Sequence, residues 1–144
     1  MQISANGLKK LMDWEGVVLH KYQDAAGLWT IGCGHLITKD ENFTILTTVE
    51  AQDLLHKDLT RFENIINAAV KVPLNQNQFD ALVIFTFNIG TGAFIQSTLL
   101  KKLNAGDYKS VPDQLMRWTK AGGKEYLGLV TRRKNEIALW NADE

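Results

Sequence analysis

The chain has 144 residues, of which 45% are hydrophobic, so it is long enough to bury a core as one domain. Its 16 Lys and Arg residues balance 16 Asp and Glu residues, and the resulting zero net charge provides no long-range attraction to nucleic acid. The single cysteine, Cys33, excludes an intramolecular disulfide and suits a reducing cytoplasm. We find no signal peptide, lipidation motif or membrane-length apolar run, so we expect a soluble monomer without membrane insertion.

The first third of the chain predicts a helix followed by a small antiparallel sheet. Ser4 can cap a helix that ends at Glu15, where Gly16 stops it. Short β-rich segments at residues 17–19, 29–31 and 36–37 then predict strands. A turn at residues 24–27 separates the first two segments.

The remainder of the chain predicts helices. The capping-box pattern Thr47-x-x-Glu50 begins a long helix that extends to residue 69. Asn75-x-x-Gln78 repeats the pattern ahead of a nearly all-apolar segment, residues 79–87, which we expect at the centre of the core. Further helices are predicted at 97–103, 108–118 and 127–140, with a loop at 121–123 before the last.

This order predicts an α+β, mainly helical protein with a single domain over residues 1–144. We expect a small antiparallel sheet lobe of about residues 16–46. The N-terminal helix and about residues 47–144 would form a helical lobe. A cleft between the two lobes would hold the site.

Three side chains in the first part of the chain suit glycoside hydrolysis, which needs one protonated and one ionised carboxyl group. Trp14 and Val17 would desolvate Glu15 and favour the protonated form of a general acid. Asp24 lies in a turn where water and backbone N–H groups would keep it ionised. The Thr30 hydroxyl can hold a water molecule nearby. Taken singly, these residues are better explained as a solvated acid, a turn residue and a strand threonine.

The surrounding residues extend the pattern: Glu15-Gly16, Tyr22-Gln23-Asp24, Gly27 and Thr30-Ile31-Gly32-Cys33-Gly34-His35. The spacing is a Glu, eight residues, an acid, five residues and a Thr, followed by Gly-x-Gly-His. This pattern resembles the N-terminal signature of the phage-type lysozymes, the endolysins of glycoside hydrolase family 24. The resemblance spans nearly the whole chain and continues through Gln78-x-x-Ala81-Leu82-Val83, Phe87-Asn88-Ile89-Gly90, Phe94, Ser97-Thr98-Leu99-Leu100 and Gly128-Leu129-Val130-x-Arg132-Arg133-x-x-Glu136.

The resemblance implies a lysozyme-like fold and a muramidase that needs no cofactor. Its substrate would be the β-1,4 bond between N-acetylmuramic acid and N-acetylglucosamine in bacterial peptidoglycan. It makes Glu15 the proton donor, Asp24 the second catalytic carboxylate and Thr30 the residue beside the catalytic water. The positions that it assigns to glycan contact are Leu36, Phe87 and Ser97. Core packing or helix capping would explain these last positions equally well.

The resemblance also implies how the protein reaches its substrate. The chain would accumulate in the host cytoplasm and act in the periplasm after a phage holin opens the inner membrane. Many members of this family are basic, whereas this chain is neutral, so attraction to the acidic wall would have to be local. The candidate cations are Lys120, Lys124, Arg132 and Arg133. For the two arginines, solvation on a helix surface is an equal alternative.

The histidines predict no metal site, because His20, His35 and His56 fit no zinc-binding spacing. Cys33 is interpreted as a small packed thiol. The family resemblance places His35 where the long helix could offer Asp58, so we predict an ion pair between them that joins the lobes, with a solvated histidine as the alternative.

Two competing functions are considered. A lytic transglycosylase would break the same bond without water and would need mainly one acid, so Asp24 and Thr30 argue against it. A wall-binding protein that has lost the chemistry would have no need of Glu15, Asp24 and Thr30 together. The pattern therefore favours a hydrolase.

Overall fold

A computed structural model describes residues 1–143 and shows a mainly helical α+β architecture, as expected. The described helices are α1 (Ala5–Glu15), α2 (Thr48–Ala69), α3 (Gln76–Ile89), α4 (Thr91–Ile95), α5 (Thr98–Asn104), α6 (Val111–Leu115) and α7 (Leu127–Trp140), with a 3-10 turn at Tyr108–Ser110. One antiparallel sheet has the order β1 (Val18–Gln23), β2 (Trp29–Gly32), β3 (His35–Leu36), and a separate hairpin pairs β4 (Lys120–Ala121) with β5 (Lys124–Glu125). None of the described helices has the length and apolar character needed to cross a bilayer.

The chain divides into two compact units, one formed by Leu8–Thr60 and the other by Met1–Gly7 with the residues from Arg61 onward. The first unit carries the three-stranded sheet on a small core of Ile31, Leu46 and Ala51. Partly buried apolar side chains complete this core: Val17, Leu19, Ile37, Phe43 and Leu54.

The ends of the helices are specified locally, as the sequence predicts. The Ser4 hydroxyl accepts a hydrogen bond from the first turn of α1. Both capping boxes are complete, with reciprocal hydrogen bonds between Thr47 and Glu50 and between Asn75 and Gln78. At the other end of α1, a glycine at position 16 takes a φ of +77°, which side chains with a Cβ rarely adopt.

The second unit is built around α3, as the apolar segment predicts. Every residue from 79 to 86 is buried, and the helix packs against α4 and α7. The ring of Phe85 meets that of Trp118 edge-on, with 5.9 Å between centroids. A helix buried on nearly all sides needs this continuous apolar composition.

Two buried carboxylates fix the N-terminal segment within this unit. The backbone N–H of Ile3 donates to Glu63 Oε2 at 2.7 Å, and that of Ser4 donates to Asp80 Oδ1 at 3.0 Å. The Ser4 hydroxyl also donates to Asp80 Oδ2. Because Asp80 is fully buried and has several partners, the start of α1 has one defined position.

The structure differs from the predicted elements in several places, and the helix predicted at 108–118 is a 3-10 turn followed by α6, which ends at Leu115. Strand β1 extends to Gln23, since Tyr22 and Gln23 pair with residues of β2. Strand β3 begins one residue earlier than predicted, and α4 was not predicted. The predicted loop at 121–123 is a hairpin, because Gly122 and Gly123 both take positive φ and form the tight turn between β4 and β5.

Candidate active site

Asp24 and Thr30 lie on either side of the turn that joins β1 to β2. Asp24 Oδ1 accepts 2.9 Å hydrogen bonds from the backbone N–H groups of Ala26 and Leu28, as expected for a carboxylate in this turn. The Thr30 side chain is buried, and its hydroxyl donates to the Leu28 carbonyl at 3.0 Å. The same carbonyl accepts the Asp24 N–H at 2.8 Å. The main chain of Leu28 therefore fixes both residues.

Glu15 lies at the last position of α1, in the same compact unit, and is exposed. This exposure contradicts the expectation that Trp14 and Val17 desolvate the carboxyl group in the free protein.

Burial, reinforced by the negative charge of Glu15, raises the pKa of the Cys33 thiol to about 11. The thiol is therefore protonated at neutral pH, which agrees with a packed group and not with a nucleophile.

Leu36 lies beside the Thr30 position in the sheet. The two residues are direct cross-strand partners in the β2–β3 pairing, so their side chains share one face. The Leu36 side chain is 52% exposed. The sheet thus places an exposed apolar surface next to the threonine, where the ring of a sugar could pack.

Phe87 and Ser97 belong to the other compact unit. Phe87 is half-buried, and its ring meets that of Phe62 edge-on at 5.4 Å. Ser97 caps α5, because its hydroxyl accepts from the Leu100 N–H at 3.1 Å and donates to the Phe94 carbonyl at 2.6 Å. Ser97 also lines a surface cavity of about 440 Å³. A glycan contact of either residue stays a prediction.

The predicted pair of His35 and Asp58 is present, with Nδ1 2.7 Å from Asp58 Oδ2. Sequence reasoning missed a second partner, Glu41, whose Oε1 lies 2.9 Å from Nε2. Burial by itself would lower the pKa of His35, but the hydrogen bonds and charges of Glu41 and Asp58 outweigh it and raise that pKa. Both residues lie within the compact unit Leu8–Thr60, whereas the sequence predicted them in different lobes.

The neighbouring arginines of α7 have different environments. Arg133 is fully buried, so the surface-solvation alternative is wrong for this residue. Its Nη2 donates to Asn88 Oδ1 at 2.6 Å and to Glu136 Oε2 at 3.1 Å, and its guanidinium lies over the Phe85 ring. Arg132 is half-buried and also contacts Glu136. Burial raises the pKa of Glu136 to about 7, against the opposing charges of the two arginines. The cluster of Arg132, Arg133 and Glu136 makes structural contacts within the compact unit that contains α3 and α7.

Comparison with known proteins identifies the family. Residues 12–136 match the phage lysozyme family. The chain is 43% identical over 147 residues to an endolysin of Acyrthosiphon pisum secondary endosymbiont phage 1, with 99% of each chain covered. It superposes on a mutant of P22 lysozyme with a TM-score of 0.92 and on the muramidase domain of SpmX from Asticaccaulis excentricus with a TM-score of 0.88. These two structures are 41% and 35% identical to the chain, and each alignment covers 99% of both chains. With the family match, the sequence identity and the fold in agreement over this length, the chain belongs to the phage lysozyme family.

Proposed function

We propose that this protein is an endolysin, a muramidase that hydrolyses the β-1,4 bond between N-acetylmuramic acid and N-acetylglucosamine in peptidoglycan and so lyses the host cell. The observation that carries the proposal is the hairpin of β1 and β2, in which Leu28 fixes both the carboxylate of Asp24 and the hydroxyl of Thr30. Glu15 lies in the same compact unit and supplies the second carboxyl group. Family membership supports the same activity.

The hydrogen bonds of Asp24 and Thr30 indicate how these two residues hold a water molecule. The single proton of the Thr30 hydroxyl is donated to the Leu28 carbonyl, so toward a water molecule this hydroxyl is an acceptor. Backbone donors bind Asp24 at Oδ1, and among residues 1–143 none donates to Oδ2. A water that donates one hydrogen bond to Asp24 Oδ2 and one to Thr30 Oγ1 keeps a lone pair free for the sugar carbon.

Glu15 acts as the general acid for the departing sugar oxygen. The Glu15 side chain is exposed, so a bound glycan strand has to exclude water from it. Exclusion of water favours the protonated carboxyl group, which is the form that donates. Leu36, beside Thr30, contacts the glycan through its exposed apolar surface. For Phe87 and Ser97, only the family resemblance supports a glycan contact.

The direct test is Glu15→Gln, because the amide is nearly isosteric but cannot donate the catalytic proton. We expect clearing of permeabilised Gram-negative cells to slow by about 10²- to 10⁴-fold, with an unchanged circular dichroism spectrum. Asp53→Asn, an acid-to-amide change at an exposed position of α2, is the matched control and should clear cells normally. Near-normal clearing by folded Glu15→Gln protein would show that another group supplies the proton.

Product analysis separates hydrolysis from the transglycosylase alternative. Hydrolysis adds a water molecule and releases N-acetylmuramic acid with a free reducing end. A transglycosylase leaves an anhydro sugar that is one water lighter. Mass spectra of digested wall should contain the hydrated products, because Asp24 and Thr30 are arranged to hold water.

The route to the wall is a separate proposal, drawn from the family resemblance. The protein accumulates as a monomer in the host cytoplasm, and a phage holin opens the inner membrane to give access to the periplasmic wall. Lysis timing then belongs to the holin and not to this chain.

A further inference from the structure

A second concave surface lies on the sheet face opposite Thr30 and Leu36. Successive residues of a strand point to opposite faces, so Trp29 and Ile37 share the other face, where the Ile37 N–H donates to the Trp29 carbonyl. This face carries a cavity of about 380 Å³, within the range of about 300 to 1,000 Å³ usual for ligand sites. Its lining includes Lys21, Trp29, Lys39, Glu41, Asn42 and Phe43. None of the catalytic residues lines it.

The lining combines an exposed aromatic ring with cations and an amide. Trp29 is 47% exposed, an unusual position for so large an apolar side chain, and Lys21 Nζ lies 4.7 Å from its ring centroid. Lys39 and Asn42 are exposed at the rim. Among residues 1–143, neither lysine forms an ion pair. The cavity therefore presents two lysine ammonium groups beside an indole ring, with one carboxylate, that of Glu41, in the same lining.

The wall of the cavity is held in place without a ligand. Glu41 accepts a hydrogen bond from the Thr38 N–H at 2.8 Å, and its own N–H donates to the Thr38 carbonyl at 3.0 Å. The Glu41 carboxylate also contacts His35, whose ring meets Phe43 edge-on. Glu41 also lines the cavity, and its carboxylate contacts His35 and not the lysines. A preformed site loses less entropy on binding.

We propose that this cavity is a noncatalytic binding site for an acidic N-acetylated glycan strand, namely peptidoglycan away from the bond being cut. This identification rests on the proposed muramidase function. The exposed indole of Trp29 packs on the apolar face of a sugar ring, and Asn42 hydrogen-bonds an acetamido group. Lys21 and Lys39 pair with carboxylates of the lactyl groups and stem peptides.

The zero net charge of the chain makes a local cationic site useful for binding the wall. With a net charge of zero, the protein has no general attraction to an acidic polymer, so retention on the wall needs local cations. Arg133, one of the cations considered for this purpose, is buried and paired with Glu136. The cavity offers Lys21 and Lys39 at a surface that also carries an aromatic ring.

The test compares wall retention with catalysis. Full-length Glu15→Gln protein is sedimented with purified Gram-negative sacculi, with and without Lys21→Gln/Lys39→Gln or Trp29→Ala. We expect the double lysine change to weaken binding by roughly three- to thirtyfold at low salt, with the loss shrinking in high salt. Trp29→Ala should weaken binding at all salt concentrations. Lys57→Gln/Lys109→Gln, an equal charge change at exposed positions, should bind normally.

A second measurement uses active protein with the lysine changes and a short soluble muropeptide oligomer. Its rate of cleavage should be unchanged, because the cavity does not touch the reacting atoms. Unchanged sacculus binding by both cavity variants would overturn the proposal, as would an equal loss in the soluble assay. Loss of binding to vesicles of phosphatidylglycerol and phosphatidylcholine, with sacculus binding intact, would also overturn it and assign the surface to lipid. Failure of the proposed muramidase function would instead appear as protein with an intact Glu15 that binds sacculi but releases no sugars.

Discussion

His35 has a carboxylate at each ring nitrogen, and this arrangement makes stability depend on pH. Its pKa in the folded protein is raised, so its contribution is full below the ordinary value of 6.5 and is lost as pH rises through the folded pKa. The pKa of Glu41 is lowered, first by the Thr38 backbone and then by His35. The contribution of Glu41 is therefore present above 4.5 and lost as pH falls through its folded pKa. The two contributions overlap between 4.5 and 6.5.

We expect His35→Asn to lower the free energy of unfolding by about 1 to 3 kcal/mol at pH 5.5, because charged hydrogen bonds to Asp58 and Glu41 are lost. The loss should be smaller at pH 8.5, because a smaller fraction of His35 is protonated in the wild-type protein at the higher pH. Urea unfolding of both proteins at the two pH values measures the difference.

The control for this change is His56→Asn, at an exposed position of α2, which should alter stability by less than about 0.5 kcal/mol at either pH. An NMR titration gives an independent check on the native histidine. A pKa for His35 at or below 6.5 would contradict a stabilising pair.

At the scale of one element, α1 shows how a tertiary contact overrides helix propensity. Gly7 lies in the first turn of this helix, where alanine is ordinarily the better residue by about 1 kcal/mol. A Cβ at this position would lie 2.6 Å from Asp80 Oδ2 and 2.7 Å from its Cγ. Asp80 cannot move away easily, since it is buried and hydrogen-bonded to Ser4 and Gln76.

We expect Gly7→Ala to destabilise the protein by about 1 to 3 kcal/mol, because the added methyl group forces the buried carboxylate from its partners. Gly128→Ala is the matched control. This glycine lies in the first turn of α7, and a Cβ there meets nothing within 4 Å. It should leave stability unchanged or raise it by up to about 1 kcal/mol. Thermal melts of both variants decide the matter, and a stabilised Gly7→Ala protein would mean that Asp80 yields freely.

At the scale of the whole molecule, the proposed dependence on a holin predicts how expression affects a cell. Expressed alone in a Gram-negative host, the protein should accumulate while culture density keeps rising. Chloroform, which permeabilises the inner membrane, should then cause abrupt lysis. Glu15→Gln protein expressed to the same level is the control and should give no abrupt lysis. Lysis without chloroform, holin or leakage would show that the chain reaches the wall by itself.

Features that depend on a few neighbouring residues could be predicted from the sequence. The caps at Ser4, Thr47 and Asn75 are present because each is completed within one helical turn. The apolar run of α3 predicted a buried helix because this signal too lies within one continuous segment of the chain. The hairpin of β4 and β5 had a readable signal that was missed, since adjacent glycines favour a tight turn.

The sequence by itself determined the pattern of Glu15, Asp24 and Thr30, which indicated the family. The family resemblance in turn suggested the pairing of His35 with Asp58. Only the tertiary structure decided the partners of charged groups. It showed Glu41 as the second partner of His35, Arg133 buried beside Glu136, and Leu28 as the residue that fixes Asp24 and Thr30 in their hairpin. The physical reason is that a charged side chain on a helix or loop has water as an adequate partner, so its sequence neighbourhood leaves its burial open. Its burial and its final partner depend on how segments distant in sequence pack around it.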